Sequence, residues 1–165
     1  MATVIRGDDN FDTAYAKSVA VIADVKAINV DGGGATSGAW YTRDLNTELS
    51  DIAGITSISS NQITIQAGTY LIEWSAPAYA VNRHTTRLQN ITTSSTQAEG
   101  SSAYANTTGA TGSTSTGSTV VTLSSANVFE VQHRVDATQG TNGLGVKSTV
   151  QNSVYTLVKI HKIGA

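Results

Sequence analysis

The chain has 165 residues and a net charge of −2, with 39% hydrophobic and only 13% charged positions and no cysteine. One compact domain suits this length, and the lack of any lysine or arginine run argues against the electrostatic footprint of a nucleic-acid or anionic-membrane binder. No apolar stretch reaches the roughly 18 residues of a membrane span, and without cysteine there is no disulfide framework, thiolate nucleophile or thiolate metal site, so stability has to come from packing or assembly.

The opening Met1-Ala2-Thr3-Val4-Ile5-Arg6 lacks the charged and apolar blocks of a secretory signal, so neither export by its own signal nor membrane insertion is expected. Residues 1–18 carry the polar cluster Gly7-Asp8-Asp9-Asn10, then Phe11, Tyr15 and Lys17, with neither strand alternation nor a helical stripe. They read as an N-terminal arm ahead of a head domain over 19–165. From Val19 the residues Val19, Val21, Ala23, Val25 and Ala27 share one parity, with Ile22, Asp24, Lys26 and Ile28 on the other, which predicts a strand with one core face. Asp31-Gly32-Gly33-Gly34 ends it.

Across 40–49, Leu45, Leu49 and Ile52 fit helical spacing, whereas Tyr41, Arg43, Leu45, Thr47 and Leu49 share a strand parity; strand is the favoured reading. Ile63-Thr64-Ile65 predicts a short strand, and after the turn Ala67-Gly68 comes the clearest alternation, with Tyr70, Ile72, Trp74 and Ala76 opposite Thr69, Leu71, Glu73 and Ser75. Pro77 has no N–H to donate and is expected to limit the ladder. Beyond it Tyr79, Val81, Arg83, Thr85 and Arg87 face Ala80, Asn82, His84, Thr86 and Leu88, with polar side chains on both faces.

The Ser, Thr and Gly-rich stretch 106–118 buries little apolar area against an ordering cost of roughly 1–2 kcal/mol per residue, so an exposed, mobile loop is expected, either a receptor-contacting tip or a tolerated insertion. Three strands are predicted next, over 119–123, 128–135 and 144–150, the last two joined by a hairpin at Asn142-Gly143. The closing segment 154–163 is apolar on both parities until its last residues, so both of its sides need cover, and a second chain or the arm is the expected source. Short strands without an intervening helix predict an all-β, two-sheet antiparallel jelly-roll sandwich.

Ile63-Thr64-Ile65-Gln66-Ala67-Gly68-Thr69-Tyr70-Leu71-Ile72 and Val154-Tyr155-Thr156-Leu157-Val158-Lys159-Ile160 resemble the strand grammar of the jelly roll shared by complement q globular heads and tumour necrosis factor. Residues 75–84 and 129–134 are similar to stretches of the phage fibre versions of that fold. The resemblance covers about residues 40–163. It implies a homotrimer of jelly rolls about a threefold axis, with the C-terminal strand near the axis and Tyr155, Leu157, Lys159 and His161 at the interface. No collagen stalk, signal peptide or cysteine accompanies it, which disfavours an animal immune or cytokine role and fits a virion assembled in a bacterial cytoplasm. In that setting the protein is a tail-fibre, head-fibre or capsid-decoration appendage whose arm, through Asp8, Asp9, Phe11 and Tyr15, docks onto a capsid or tail component.

Gly-x-Ser-x-Gly, His-Glu-x-x-His and phosphate-binding loops are absent from the sequence, so a non-enzymatic protein without cofactor or metal is expected. Asp8 and Asp9 can be imagined as paired acids, but a solvated turn explains them better than glycosidase chemistry. Arg83, His84, Arg87, His133 and Arg134 can converge into a cationic patch for an acidic host-surface glycan if their strands are neighbours, or they can satisfy one another structurally. Among Trp40, Trp74, Tyr79 and Tyr104, which can each act as a sugar-stacking platform, Trp74 belongs to the core by parity and Tyr104 is the best candidate for exposure. A soluble carbohydrate-binding module and a polysaccharide-degrading enzyme are the alternatives of different class.

Overall fold

The computed structural model describes residues 19–164. The arm expected over 1–18, with Asp8, Asp9, Phe11 and Tyr15, lies outside the described residues. Among the described residues there are twelve strands and no helix: β1 (Val19–Lys26), β2 (Trp40–Thr42), β3 (Thr47–Asp51), β4 (Thr56–Ser59), β5 (Gln62–Ile65), β6 (Gly68–Tyr79), β7 (Asn82–Asn90), β8 (Ser95–Glu99), β9 (Ala103–Ala105), β10 (Gly112–Leu123), β11 (Asn127–Val135) and β12 (Ser153–Gly164).

Two antiparallel sheets face each other. The first has the order β10-β6-β12-β1-β3, and the second β4-β5-β11-β7-β8, with β2 added along β11 and β9 along β7. Consecutive strands repeatedly change sheet, from β5 to β6, β6 to β7, β10 to β11 and β11 to β12, which makes the sandwich a jelly roll. The change from β6 to β7 takes only Ala80 and Val81, and it is made possible by left-handed backbone at Ala80 (φ 50°) and Asn82 (φ 60°).

The region 40–49 is extended, as its strand parity predicts, but it is two strands. Arg43 and Leu45 are driven inward to 1% and 2% exposure, and the chain crosses there from β2 in the second sheet to β3 in the first. At β6 the alternation is borne out over its whole length, with Tyr70, Ile72, Trp74, Ala76 and Ala78 all buried. Pro77 does not end this strand. Pairing with β12 stops at Ser75, so from there only the β10 side of β6 is laddered and a missing N–H is tolerated.

The strand predicted from Val19 forms, with Ala20 and Ile22 on the core side and Val19 and Val21 half-buried on the outer side of the first sheet. Two sequence expectations need correction. Residues 112–118 are no loop: they open the 12-residue β10, which pairs with β6 from Gly112 opposite Tyr79 to Leu123 opposite Gly68. Here the small residues are a steric requirement, because a Cβ on Gly117 would stand 2.0 Å from Cζ2 of Trp74 on the facing strand. Only 106–111 form a turn, held by the Asn106 and Asn82 side chains, whose Oδ1 atoms accept from Thr108 and Thr107. Finally, 144–150 form no strand and Asn142-Gly143 no hairpin; the chain between β11 and β12 is a long loop. Its Gly145 carbonyl accepts from the Gly32 N–H of the loop after β1 at 2.9 Å, and Gly145 (φ 137°) leaves room for the ring of Tyr155.

Between the sheets, Ile22, Ile63, Ile65, Ile72, Leu88, Phe129 and Ile160 form the centre of the main apolar core, each contributing about 1.5–3 kcal/mol of burial. A smaller cluster of Ala35, Ala78, Val81, Ala105 and Val135 closes the opposite end. Polar side chains fill the space between the two clusters.

Candidate functional site

The patch expected from Arg83, His84, Arg87, His133 and Arg134 is divided by the pleat. β7 and β11 are neighbours, with Arg87 opposite Gln132, Arg134 opposite Thr85 and His84 opposite Val135. Strand alternation then sends Arg83, Arg87 and Arg134 to the outer face of the second sheet and His84 and His133 inward. Both imidazoles are buried, at 4% and 0% exposure. His84 Nδ1 lies 2.8 Å from His133 Nε2, and His84 Nε2 lies 2.7 Å from the Ser113 hydroxyl. Burial, then the Arg43 charge, holds the His84 pKa down to about 4. The same two causes, with His84 added, hold His133 to about 2. At neutral pH the pair is uncharged; His133 is fully enclosed, whereas His84, 4% exposed, borders a groove that Arg83, Tyr104 and Arg134 also line.

Around the pair runs a hydrogen-bonded interior. Trp74 Nε1 donates to Thr86 Oγ1 at 2.9 Å, Thr86 Oγ1 and Ser115 Oγ are 2.8 Å apart, and Ser115 Oγ donates to the Ser101 carbonyl at 2.7 Å. These contacts tie the two sheets together through directed bonds. Arg43 completes the interior: Nε donates to Thr156 Oγ1 at 2.9 Å, Nη1 to the Pro77 carbonyl at 3.2 Å and Nη2 to the Leu144 carbonyl at 2.8 Å. Its pKa is lowered to about 10 by burial, against the opposing pull of Asp24 and Asp44, and it stays charged. Burial also raises the pKa of Asp24, although Lys26, 3.1 Å away, partly offsets the shift. Sequence reading did not anticipate this interior, yet Arg43 shares a parity with Leu45, and His84 and His133 share theirs with Leu88 and Val131.

On the outer face of the second sheet the side chains are of a different kind. Arg87 stacks on Trp40, its Cζ 4.2 Å from the ring centroid, and donates to Gln132 Oε1 at 2.8 Å and Thr96 Oγ1 at 3.2 Å. Glu130, beside Gln132, is acted on by burial, which raises its pKa, but hydrogen bonds from Gln62, Gln132 and Thr42 prevail and hold it below the ordinary value. Arg83 reaches Asp136 at 3.6 Å. Tyr104 on β9 pairs with Arg83 in register and is 54% exposed, as its sequence neighbourhood predicts. Arg83, Asp136 and Tyr104, together with His84, Ser102 and Arg134, line an open groove of about 590 Å³.

The outer face of the first sheet is more aliphatic. Leu157, Lys159 and His161 point outward from β12, beside Leu71 and Glu73 of β6, Val21 of β1 and Val120 of β10. His161 Nε2 lies 3.7 Å from Glu73 Oε2. Tyr155, grouped with them on sequence, is placed differently: a bulge opposite Ala23 and Val25 turns it inward, where it is 6% exposed, its hydroxyl donating to the Val30 carbonyl at 2.7 Å. It is occupied within its own chain.

This fold is the jelly roll of complement q heads and tumour-necrosis-factor proteins. No protein-family model matches the chain, and no curated protein sequence does at a significant level. Among solved structures, it is similar to the globular domain of zebrafish complement 1qA, with TM-score 0.57 and 15% identity over 89% of this chain and 97% of that one. It is similar also to Eiger TNF from S. frugiperda, with TM-score 0.60 and 10% identity over 88% of this chain and 92% of that one. The third neighbour is the PRD1 vertex protein P5, with TM-score 0.57 and 14% identity over 89% of this chain and 97% of that one. At these identities the likeness is one of fold.

Proposed function

We propose that this chain is a non-enzymatic structural module that assembles as a homotrimer through the outer face of its first sheet and serves as a virion surface appendage. The observation that carries the reading is the character of that face. Val19, Val21, Leu71 and Leu157 make an aliphatic strip interrupted by His161, set between Val19 and Leu71, and by Lys159, set between Val21 and Glu73, and it is extended by Val120 at 58% and Ile163 at 56% exposure. A strip of this kind is stabilised by covering it, at about 25 cal/mol for each Å² of apolar surface removed from water. Leu157, Lys159 and His161 belong to this interface, and the threefold arrangement follows the fold resemblance. The virion setting rests on the likeness to the PRD1 vertex protein P5, which is named as a vertex protein, and on the phage-like stretches of the sequence. Residues 1–18 dock the head to a capsid or tail component in this reading, and the head projects from a particle assembled in the bacterial cytoplasm.

Sedimentation of the whole chain tests the assembly: a species of three chains is expected, and Leu157→Asp reduces it to monomer with the β signature intact. A wild-type monomer at micromolar concentration removes the proposal. Deleting residues 1–18 is expected to abolish attachment to particles while leaving a soluble trimer, and incorporation of the truncated form refutes the docking role.

A further inference from the structure

We propose that the groove on the outer face of the second sheet binds a carboxylate-bearing saccharide, with Arg134 as the carboxylate clamp and Tyr104 as the sugar platform. Three of the four arginines among the described residues, Arg83, Arg87 and Arg134, stand on this single face in a chain that has a net charge of −2. The fourth, Arg43, is internal. Their partners differ in a way that singles out one of them. Arg87 is fixed by Trp40, Gln132 and Thr96, with Glu99 opposite it in the register of β7 and β8. Arg83 is held loosely by Asp136 at 3.6 Å. Arg134 is exposed, and among the described residues no acceptor engages its guanidinium.

A planar fork of five N–H donors kept near two other cations, with no acid of its own, is set up for bidentate capture of an incoming carboxylate. The rest of the lining suits a sugar. Tyr104 offers an exposed ring face on the neighbouring strand, and neither its hydroxyl nor that of Ser102 has a hydrogen-bond partner among the described residues. Asp136, the one acid of the lining, accepts from sugar hydroxyls while it positions Arg83. A volume of about 590 Å³ lies within the roughly 300–1,000 Å³ of small-ligand clefts, and the open shape admits a chain end or an internal residue of a longer polymer. An acidic peptide is the competing ligand of equal charge; the unsatisfied hydroxyls and the aromatic platform favour the saccharide.

The groove is complete within one chain, so the proposal stands or falls independently of trimer assembly. Calorimetric titration of the whole protein with short oligogalacturonates and with sialyllactose is the test, each beside its methyl ester and beside polyglutamate. At least one free acid is expected to bind, with its ester at least about tenfold weaker, as the loss of a charge-assisted bidentate pair requires. Arg134→Gln reproduces the loss, Arg134→Lys restores part of it, and Tyr104→Ala weakens binding of the acid and the ester together. Lys147→Gln, which removes an equal charge from a residue outside the groove lining, leaves affinity unchanged. No binding of either acid, equal binding of acid and ester, polyglutamate binding as tight as the saccharide, or an equal effect of Lys147→Gln overturns the proposal.

Discussion

The interior of this sandwich is built by two methods, one in the main apolar core and one in the polar stretch between that core and the small apolar cluster. Around Phe129, Ile63, Ile72 and Ile160 the sheets are held by apolar contact, which is non-directional and indifferent to pH. Around His84, His133, Thr86, Ser115 and Arg43 they are held by hydrogen bonds whose donors and acceptors must be in the right ionisation state. The first region tolerates changes of shape within its volume. The second depends on every partner being present, and it contains two uncompensated atoms already, since His133 Nδ1 and Asp24 Oδ2 have no partner among the described residues.

The largest effect separating the two regions is expected at the apolar one. Phe129→Ala should lower stability by about 3–5 kcal/mol, by the same amount at pH 7.5 and 5.5, in urea unfolding at one fixed protein concentration. Next comes Arg43→Met, which strands the Thr156 hydroxyl and the Pro77 and Leu144 carbonyls and leaves Asp24 with less compensation; a loss of about 3 kcal/mol is expected. Because Arg43 helps hold both imidazoles neutral, the same variant should move the His84 and His133 titrations upward in an NMR pH series.

Acidification alone is the third probe. The folded-state values of about 4 and about 2 lie below the roughly 6.5 of an unfolded-state imidazole, so the unfolded chain binds more protons below that pH. The stability tied to the neutral pair is therefore complete above pH 6.5 and is lost as pH falls toward the folded values. Each imidazole costs about 1.4 kcal/mol per unit, giving about 2–3 kcal/mol for the pair between pH 7.5 and 5.5. His133→Leu should remove about half of that slope; an unchanged slope would show that the acid sensitivity comes from elsewhere. The smallest effect is on the surface, where Trp40→Ala deprives Arg87 of its stacking partner and should cost only about 0.5–1 kcal/mol. Arg43 and Arg87 thus measure the same functional group in the interior and in solvent.

How much of this was legible depended on which physical signal each residue carries. The β6 alternation reads correctly because Tyr70, Ile72 and Trp74 contrast with Thr69, Glu73 and Ser75 on the other parity. The β1 strand is found from its alternation, but both parities carry apolar residues, and its valines serve the outer face of a sheet whereas Ala20 and Ile22 serve the core. In β10 the end over 119–123 was legible and 112–118 escaped, because that part contributes a backbone ladder and the absence of side chains, as at Gly117 under Trp74, and neither registers as hydrophobicity. For the candidate site, the exposure of Tyr104 and the convergence of the arginines were readable. The separation of the histidines from them was readable as well, since Leu88 and Val131 mark the inward parity of β7 and β11, but only once those strands are assigned a single wet face. The bulge that turns Tyr155 inward has no comparable signature.

β12 lies in the middle of its sheet, between β6 and β1. A nascent chain emerging from the ribosome therefore has both flanking strands in hand long before the piece that joins them, and that half of the sandwich can close only after residues 153–164 have been made. A product terminated upstream of that point is left with an open seam between β6 and β1, and faster cleavage than the whole chain is expected in limited proteolysis.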